Sequence, residues 1–263
     1  MELWTAQHAM TLLPAMAVML VLTAVLQCTI GKKSRKVRMI PLQVITVILL
    51  VLEVMKQVYS FSRGYDLYHI PLHFCSLFLF SLPAAAFYNG KHRGKVMSVA
   101  ATVGASLLLF MLIYPNLIYS AGNIENFFNP EDFLSFHTVA FHNLALWSVM
   151  LIVALRLYDP PQRGEGLSCL IFVLCFCVAS GITAQVLKTN YANMYRCNIP
   201  PLENLRVTVE GMVGYPVAQT IYVLCVSLGT IGFFMMCFAL FCLLRRLGEK
   251  LYEKVLEKRQ GTV

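Results

Sequence analysis

Charge is what this sequence has least of. Asp, Glu, Lys and Arg make up 13% of its 263 residues, about half the share of an average soluble domain. A water-facing surface cannot be built from so few charges, and a disordered chain needs more of them. With 58% hydrophobic residues, the class is a multi-pass membrane protein. A pattern of paired cysteines is missing too. There are nine cysteines, an odd number, and Cys28, Cys75, Cys169, Cys175, Cys177, Cys225, Cys237 and Cys242 lie in apolar runs. Thiols there pack as small hydrophobes. Only Cys197 sits in a clear loop, which excludes a disulfide framework. No basic residue precedes the first apolar run, whereas Lys32, Lys33, Arg35 and Lys36 follow it. A cleavable signal peptide has the opposite polarity, so a retained first helix is expected. No internal repeat is found, which argues against the inverted-repeat architecture of many transporters.

What is present is a set of apolar runs of the length that crosses a bilayer, about 20 residues. Seven qualify: 11–30, 39–61, 68–88, 96–118, 133–155, 167–187 and 215–244. Lys and Arg alternate between the intervening loops. One set (31–38, 89–95, 156–166 and the tail after 244) holds 16 of them, and the other (the N-terminus, 62–67, 119–132 and 188–214) holds 4. The positive-inside rule then places the N-terminus outside and the C-terminus in the cytoplasm. The net charge of +8 is therefore a topology signal with some attraction to anionic headgroups, and nucleic acid is not an expected partner. The fold expected is an all-α bundle of seven transmembrane helices in one domain, with an outer loop at 188–214 and a basic cytoplasmic tail at 245–263. Residues 129–132 supply an N-cap at Asn129, a proline at the first helical position and acids in the first turn. Asp159-Pro160-Pro161 stops the fifth span. The 188–214 loop is too long for a simple connector and is expected to fold over the outer face.

Ionisable groups inside spans are expensive and default to functional hypotheses. Glu53 and Lys56 share a helix face at i, i+3 and can pair. His69 and His73 are one turn apart if the third span is helical, and Cys75 lies roughly 160° further round from His73. The fifth span carries His137 and His142-Asn143. All of these, with Gln185, Gln219 and Thr220, fall in the outer half of the bundle by residue count. The inference is a polar cavity opening toward the outer face, capped by the 188–214 loop.

At these residues the chain resembles the YwaF-like membrane proteins, the family that includes transmembrane protein 164. The resemblance rests on residues 70–75 (Ile-Pro-Leu-His-Phe-Cys), on Phe136-His137 and His142-Asn143, on Thr189-Asn190-Tyr191 and on Gly214-Tyr215-Pro216, with Glu53 and Lys56 fitting as well. It implies a seven-helix fold. For the eukaryotic relatives it also implies a cysteine-dependent phospholipid acyltransferase, which moves an acyl chain from a glycerophospholipid to a lysophospholipid. The family's nucleophile maps by motif onto Cys75, with His142 or His137 as its histidine partner. The short basic loops and minimal termini point to a bacterial cytoplasmic membrane.

Acyl transfer by cysteine needs a thiolate, a base and oxyanion donors. His142 is the candidate base, and His73 or His137 the candidate to orient it or to donate to the oxyanion. Asn190 is a further donor if the loop folds down, with Tyr191 beside it. Glu53 and Lys56 are candidates for the lipid phosphate. The expected partners are membrane lipids, with no cofactor and no metal; lipid acyl hydrolysis is the near variant. Two rivals use the same residues. A transporter, channel or sensor takes Glu53, Lys56 and the histidines as a relay. A metal or haem site takes the histidines as ligands, although His137 and His142 lie about 140° apart round their helix.

Overall fold

In a computed structural model the structure describes residues 5–113, 115, 120–159 and 161–260. The end of the expected fourth span (114 and 116–118), Pro160 and residues 261–263 of the tail lie outside the described residues. The chain is an all-helical integral membrane protein, with no strand among the described residues. The helices are α1 (Ala6–Ile30), α2 (Arg35–Ser62), α3 (Leu77–Phe87), α4 (Arg93–Ile113), α5 (Ala121–Glu125), α6 (Phe133–Ala154), α7 (Glu165–Leu187), α8 (Pro200–Val213) and α9 (Tyr215–Gln260). Seven segments are long and apolar enough to cross a membrane. Five are α1 from His8 onward, α2, α4, α6 and α7; the others are Leu67–Phe87, which ends in α3, and Tyr215–Leu247 of α9. Valines 47, 51, 54 and 58 of α2 are exposed, as a lipid-facing stripe must be.

α4 is the central helix and packs against α3, α6, α7 and α9. Its sequence explains why. Ser98, Ala100, Ala101, Thr102, Gly104 and Ser106 are small and buried or nearly so, and small residues let helix backbones approach closely in lipid. At Gly104 a Cβ would collide with the Val149 side chain of α6. α1 sits outermost against α6, where Trp147 Nε1 donates to Thr23 Oγ1 at 3.0 Å.

The end of the bundle rich in Lys and Arg is tied together by charge. Asp159 accepts from Arg35 and, at 3.0 Å, from Arg93 Nε. Arg245 of α9 pairs with Glu165 of α7 at 2.9 Å with both side chains at most 4% exposed. These contacts join α2, α4, α7 and α9 to the loop after α6. The opposite end carries residues 188–214 and is called the loop end below.

Two local expectations change. α6 begins at Phe133, and its N-cap is Asp132, whose Oδ1 accepts from Ser135 N at 3.1 Å. Asn129 instead accepts from Glu131 N, an Asx turn ahead of the helix. The third span is not helical from its start. Short 3₁₀ turns occupy Leu67–His69 and Phe74–Ser76, and the α-helix starts only at Leu77. Pro71 has no N–H and biases the residue before it to extended backbone; Ile70 has ψ 131°. His69 and His73 therefore do not share a helix face.

Candidate functional site

Irregular backbone at membrane depth is tolerated only where other groups satisfy it, and here polar side chains from neighbouring spans do so. Gln57 Nε2 of α2 donates to the His69 carbonyl at 2.9 Å. Ser180 Oγ of α7, fully buried, donates to the Leu72 carbonyl at 3.2 Å. His73 Nε2–H donates to the Tyr68 carbonyl at 2.8 Å, and the Tyr191 hydroxyl donates to the Leu67 carbonyl.

A second irregular stretch follows α7. Lys188, Ala192 and Asn193 adopt left-handed φ of 52°, 47° and 60°, and Tyr191, Ala192 and Met194 are buried. Gln185 Nε2 donates to Met194 O at 2.8 Å, Gln219 Nε2 to Tyr195 O at 2.9 Å, and Tyr222 Oη to Asn193 O at 2.6 Å. Gln185 and Gln219, expected to line a cavity, thus serve as backbone partners of the loop that folds into the bundle. Among the described residues Thr220 bonds within its own helix, to Pro216 O.

A further cluster lies in the bundle. Lys56 Nζ lies 2.7 Å from Glu53 Oε1, and these side chains are 14% and 11% exposed. The same Glu53 oxygen accepts from Gln57 Nε2 at 2.6 Å. Glu53 Oε2 lies 3.5 Å from His137 Nε2, within ion-pair range but outside hydrogen-bond geometry. The pair on α2 thus forms one cluster with Gln57 and His137.

Each histidine is oriented. A carbonyl can only accept, so the 2.6 Å contact between His142 Nδ1 and Thr138 O puts the proton on Nδ1. In the neutral ring Nε2 then carries the lone pair. His69 Nδ1 meets Ser60 Oγ at 2.5 Å. His137 stacks on Phe141 at 5.4 Å, and His73 packs between Tyr68 at 4.3 Å and Tyr191 at 5.6 Å.

Cys75 is half-buried in the turn Phe74–Ser76 that leads into α3. The amides of Phe74 and Cys75 come before any residue that can accept them within the turn. Among the described residues Cys75 has no hydrogen bond to a histidine. Asn190 is a loop organiser: its Oδ1 accepts from Tyr195 N and Arg196 N, and its Nδ2 donates to Asn198 Oδ1 at 3.2 Å. Gln57 was missed in the sequence although it stands four residues after Glu53, the spacing that puts them side by side. Ser180 carried no signal, since a lone serine in a span looks like packing.

A cleft of about 460 Å³ opens at the loop end. Tyr68 forms one wall; residues 188–190, Tyr195, Arg196 and Asn198 form the other. None of Glu53, Lys56, Cys75, His137 and His142 lines it. Among the described residues no three His, Cys, Asp or Glu converge as metal ligands.

Compared with known families, the model of the TMEM164 family matches residues 3–238. The chain belongs to the TMEM164 family. Neither any curated protein nor any solved structure matches it. For this TMEM164-family member the seven-span fold expected from the resemblance is the fold observed.

Proposed function

We propose that this TMEM164-family protein transfers acyl chains between phospholipids, with Cys75 as the nucleophile and His142 as the base. The supporting observation is the tautomer of His142, whose Nε2 the Thr138 carbonyl leaves free to accept a proton, together with Cys75 in the 3₁₀ turn Phe74–Ser76 that leads into α3. A helix start offers unpaired N–H groups and positive potential, which favour a thiolate.

In the proposed reaction His142 Nε2 takes the thiol proton and Cys75 Sγ attacks the carbonyl carbon of the acyl ester. Negative charge grows on the carbonyl oxygen, where the Phe74 and Cys75 amides donate to it. The C–O bond to the glycerol breaks, and the protonated histidine returns the proton to the leaving alkoxide. An acyl thioester and a lysophospholipid result. The hydroxyl of a second lysophospholipid then attacks the thioester in the reverse sequence and frees the thiol; water in its place gives hydrolysis. The Thr138 carbonyl holds His142 in the required tautomer, as an orienting acceptor does in other nucleophile–base pairs. Glu53 and Lys56 act through their contacts with each other and with His137, and Tyr191 holds the loop against His73. On the positive-inside reading of the Lys and Arg asymmetry the loop end faces outside, and the lipid enters from the outer leaflet.

The test uses purified protein and phospholipids bearing a tagged acyl chain. Hydroxylamine-sensitive label on Cys75 is expected, absent in Cys75→Ala and weakened in His142→Gln. Folded protein that takes no label from any lipid class overturns the reading.

One observation favours a second reading, a proton or solute pathway. The Tyr65 hydroxyl donates to Gln57 Oε1 at 2.7 Å, and Gln57 donates on to Glu53, which faces His137. This chain runs from the loop end into the bundle. A pathway of that kind requires Glu53 and His137 for transport and is indifferent to Cys75.

A further inference from the structure

The loop-end cleft plays no part in the chemistry above, yet its charge is one-sided. Lys188 and Arg196 line it, and among the described residues neither is in an ion pair. Two acids at this end of the chain have hydrogen-bonded partners of their own. Glu203 is held by Arg206 at 2.7 Å and accepts from Cys197 N; Asp66 accepts from Tyr68 N at 2.8 Å. This differs from Lys56, whose charge Glu53 neutralises.

We propose that the cleft binds a phosphate ester. Arg presents a planar fork that matches two phosphate oxygens, and Lys adds a point charge. Because Asn198 Oδ1 accepts from Asn190, its amide group is the end that can donate to a ligand. The volume of about 460 Å³ falls in the range of small-molecule sites, roughly 300–1,000 Å³. That is more than a bare phosphate needs and suits a phosphate carrying its glycerol or amine. The cleft lies at the end of a membrane-spanning helix, α7, where lipid headgroups lie. A phosphodiester headgroup and a soluble phosphate ester share the recognition chemistry.

The cleft also touches the bundle interior. Tyr68 forms its wall, and the Tyr68 carbonyl holds the His73 ring, two residues before Cys75. A ligand resting on Tyr68 is thereby in contact with the segment that carries the nucleophile. The binding site stands without any chemistry at Cys75; its role as the headgroup subsite rests on the acyl-transfer reading.

The experiment uses full-length protein in a maltoside detergent, which carries no phosphate. Glycerol 3-phosphate, dihexanoyl phosphatidylethanolamine and dihexanoylglycerol are titrated separately by calorimetry. Binding of at least one phosphate-bearing probe is expected, with dihexanoylglycerol much weaker. The tighter of the two phosphate probes identifies the source, soluble ester or lipid headgroup. Lys188→Gln and Arg196→Gln should each weaken it by roughly tenfold, the loss typical of one charge-assisted hydrogen bond, and Lys188→Arg should retain it. Equal binding of dihexanoylglycerol overturns the site. So does parent-like binding by a Lys188→Gln/Arg196→Gln protein with an unchanged melting temperature, or no binding of either phosphate probe. The same titration on Cys75→Ala separates the two readings. Binding without acylation of the parent protein keeps the site and removes acyl transfer; acylation untouched by the double variant keeps acyl transfer and removes the cleft's role as its headgroup subsite.

Discussion

Tyr191 packs its ring 5.6 Å from that of His73 while its hydroxyl bonds the Leu67 carbonyl. One fully buried side chain from the loop after α7 thus holds both ends of the irregular segment that precedes Cys75. The loop is part of the bundle, and its removal would take away the His73 ring contact and one of the two hydrogen bonds on the Leu67 carbonyl.

Tyr191→Phe tests this directly. It keeps the ring and removes one of the two hydrogen bonds on the Leu67 carbonyl, which still accepts from Ile70 N at 3.1 Å, a loss of about 0.5–1.5 kcal/mol. The melting temperature in nanodiscs should fall, and amides of residues 67–76 should exchange faster. Unchanged exchange there would mean the loop does not brace the segment.

Glu53→Gln should be among the most damaging changes in the bundle. It leaves Lys56 charged and unpaired among buried groups, which costs about 3–5 kcal/mol when one partner of a buried pair is lost. Adding Lys56→Met should recover much of that stability, because the stranded charge is gone. A double variant no more stable than Glu53→Gln alone would contradict the pairing.

At the α4–α6 contact, Gly104→Val places two methyl groups against Val149. Overpacking of this kind costs about 1–3 kcal/mol. Combining it with Val149→Ala should restore the melting temperature in part, and strict additivity of the two changes would count against direct contact.

The pH response of the loop end has a definite sign. Arg206 binds Glu203 and Glu210 at 2.7 and 2.9 Å, and its guanidinium holds the Glu203 carboxyl below the ordinary glutamate value of 4.5. A carboxyl lowered on folding adds stability that is present above its unfolded value and is lost as pH falls through the folded one. Protection of α8 amides from exchange should therefore be flat from pH 7 down to about 5 and fall only in stronger acid. In Arg206→Gln the protection at neutral pH should already be reduced. A decline centred near pH 6 in the parent protein would show that another group controls α8.

The seven spans were legible because lipid imposes a length and an apolarity that composition alone reveals. The Glu53–Lys56 pair was legible for a related reason, since helical spacing brings i and i+3 together whatever surrounds them. The loop-end crowding of polar residues was also visible, but its use was not. Gln185 and Gln219 looked like cavity lining and turned out to satisfy Met194 and Tyr195 carbonyls. Their partners are irregular backbone, which hydropathy does not see. The helical reading of residues 68–76 failed for the same reason: Pro71 opens the backbone, and only Gln57, Ser180 and Tyr191, remote in sequence, make the opened form stable. Residue types and periodicity therefore decided how many helices there are and which groups are too polar for lipid. Which of those groups serve backbone, which gather around Glu53, and which leave Lys188 and Arg196 unpaired at the cleft depended on packing between distant segments, and that was decided only by the tertiary structure.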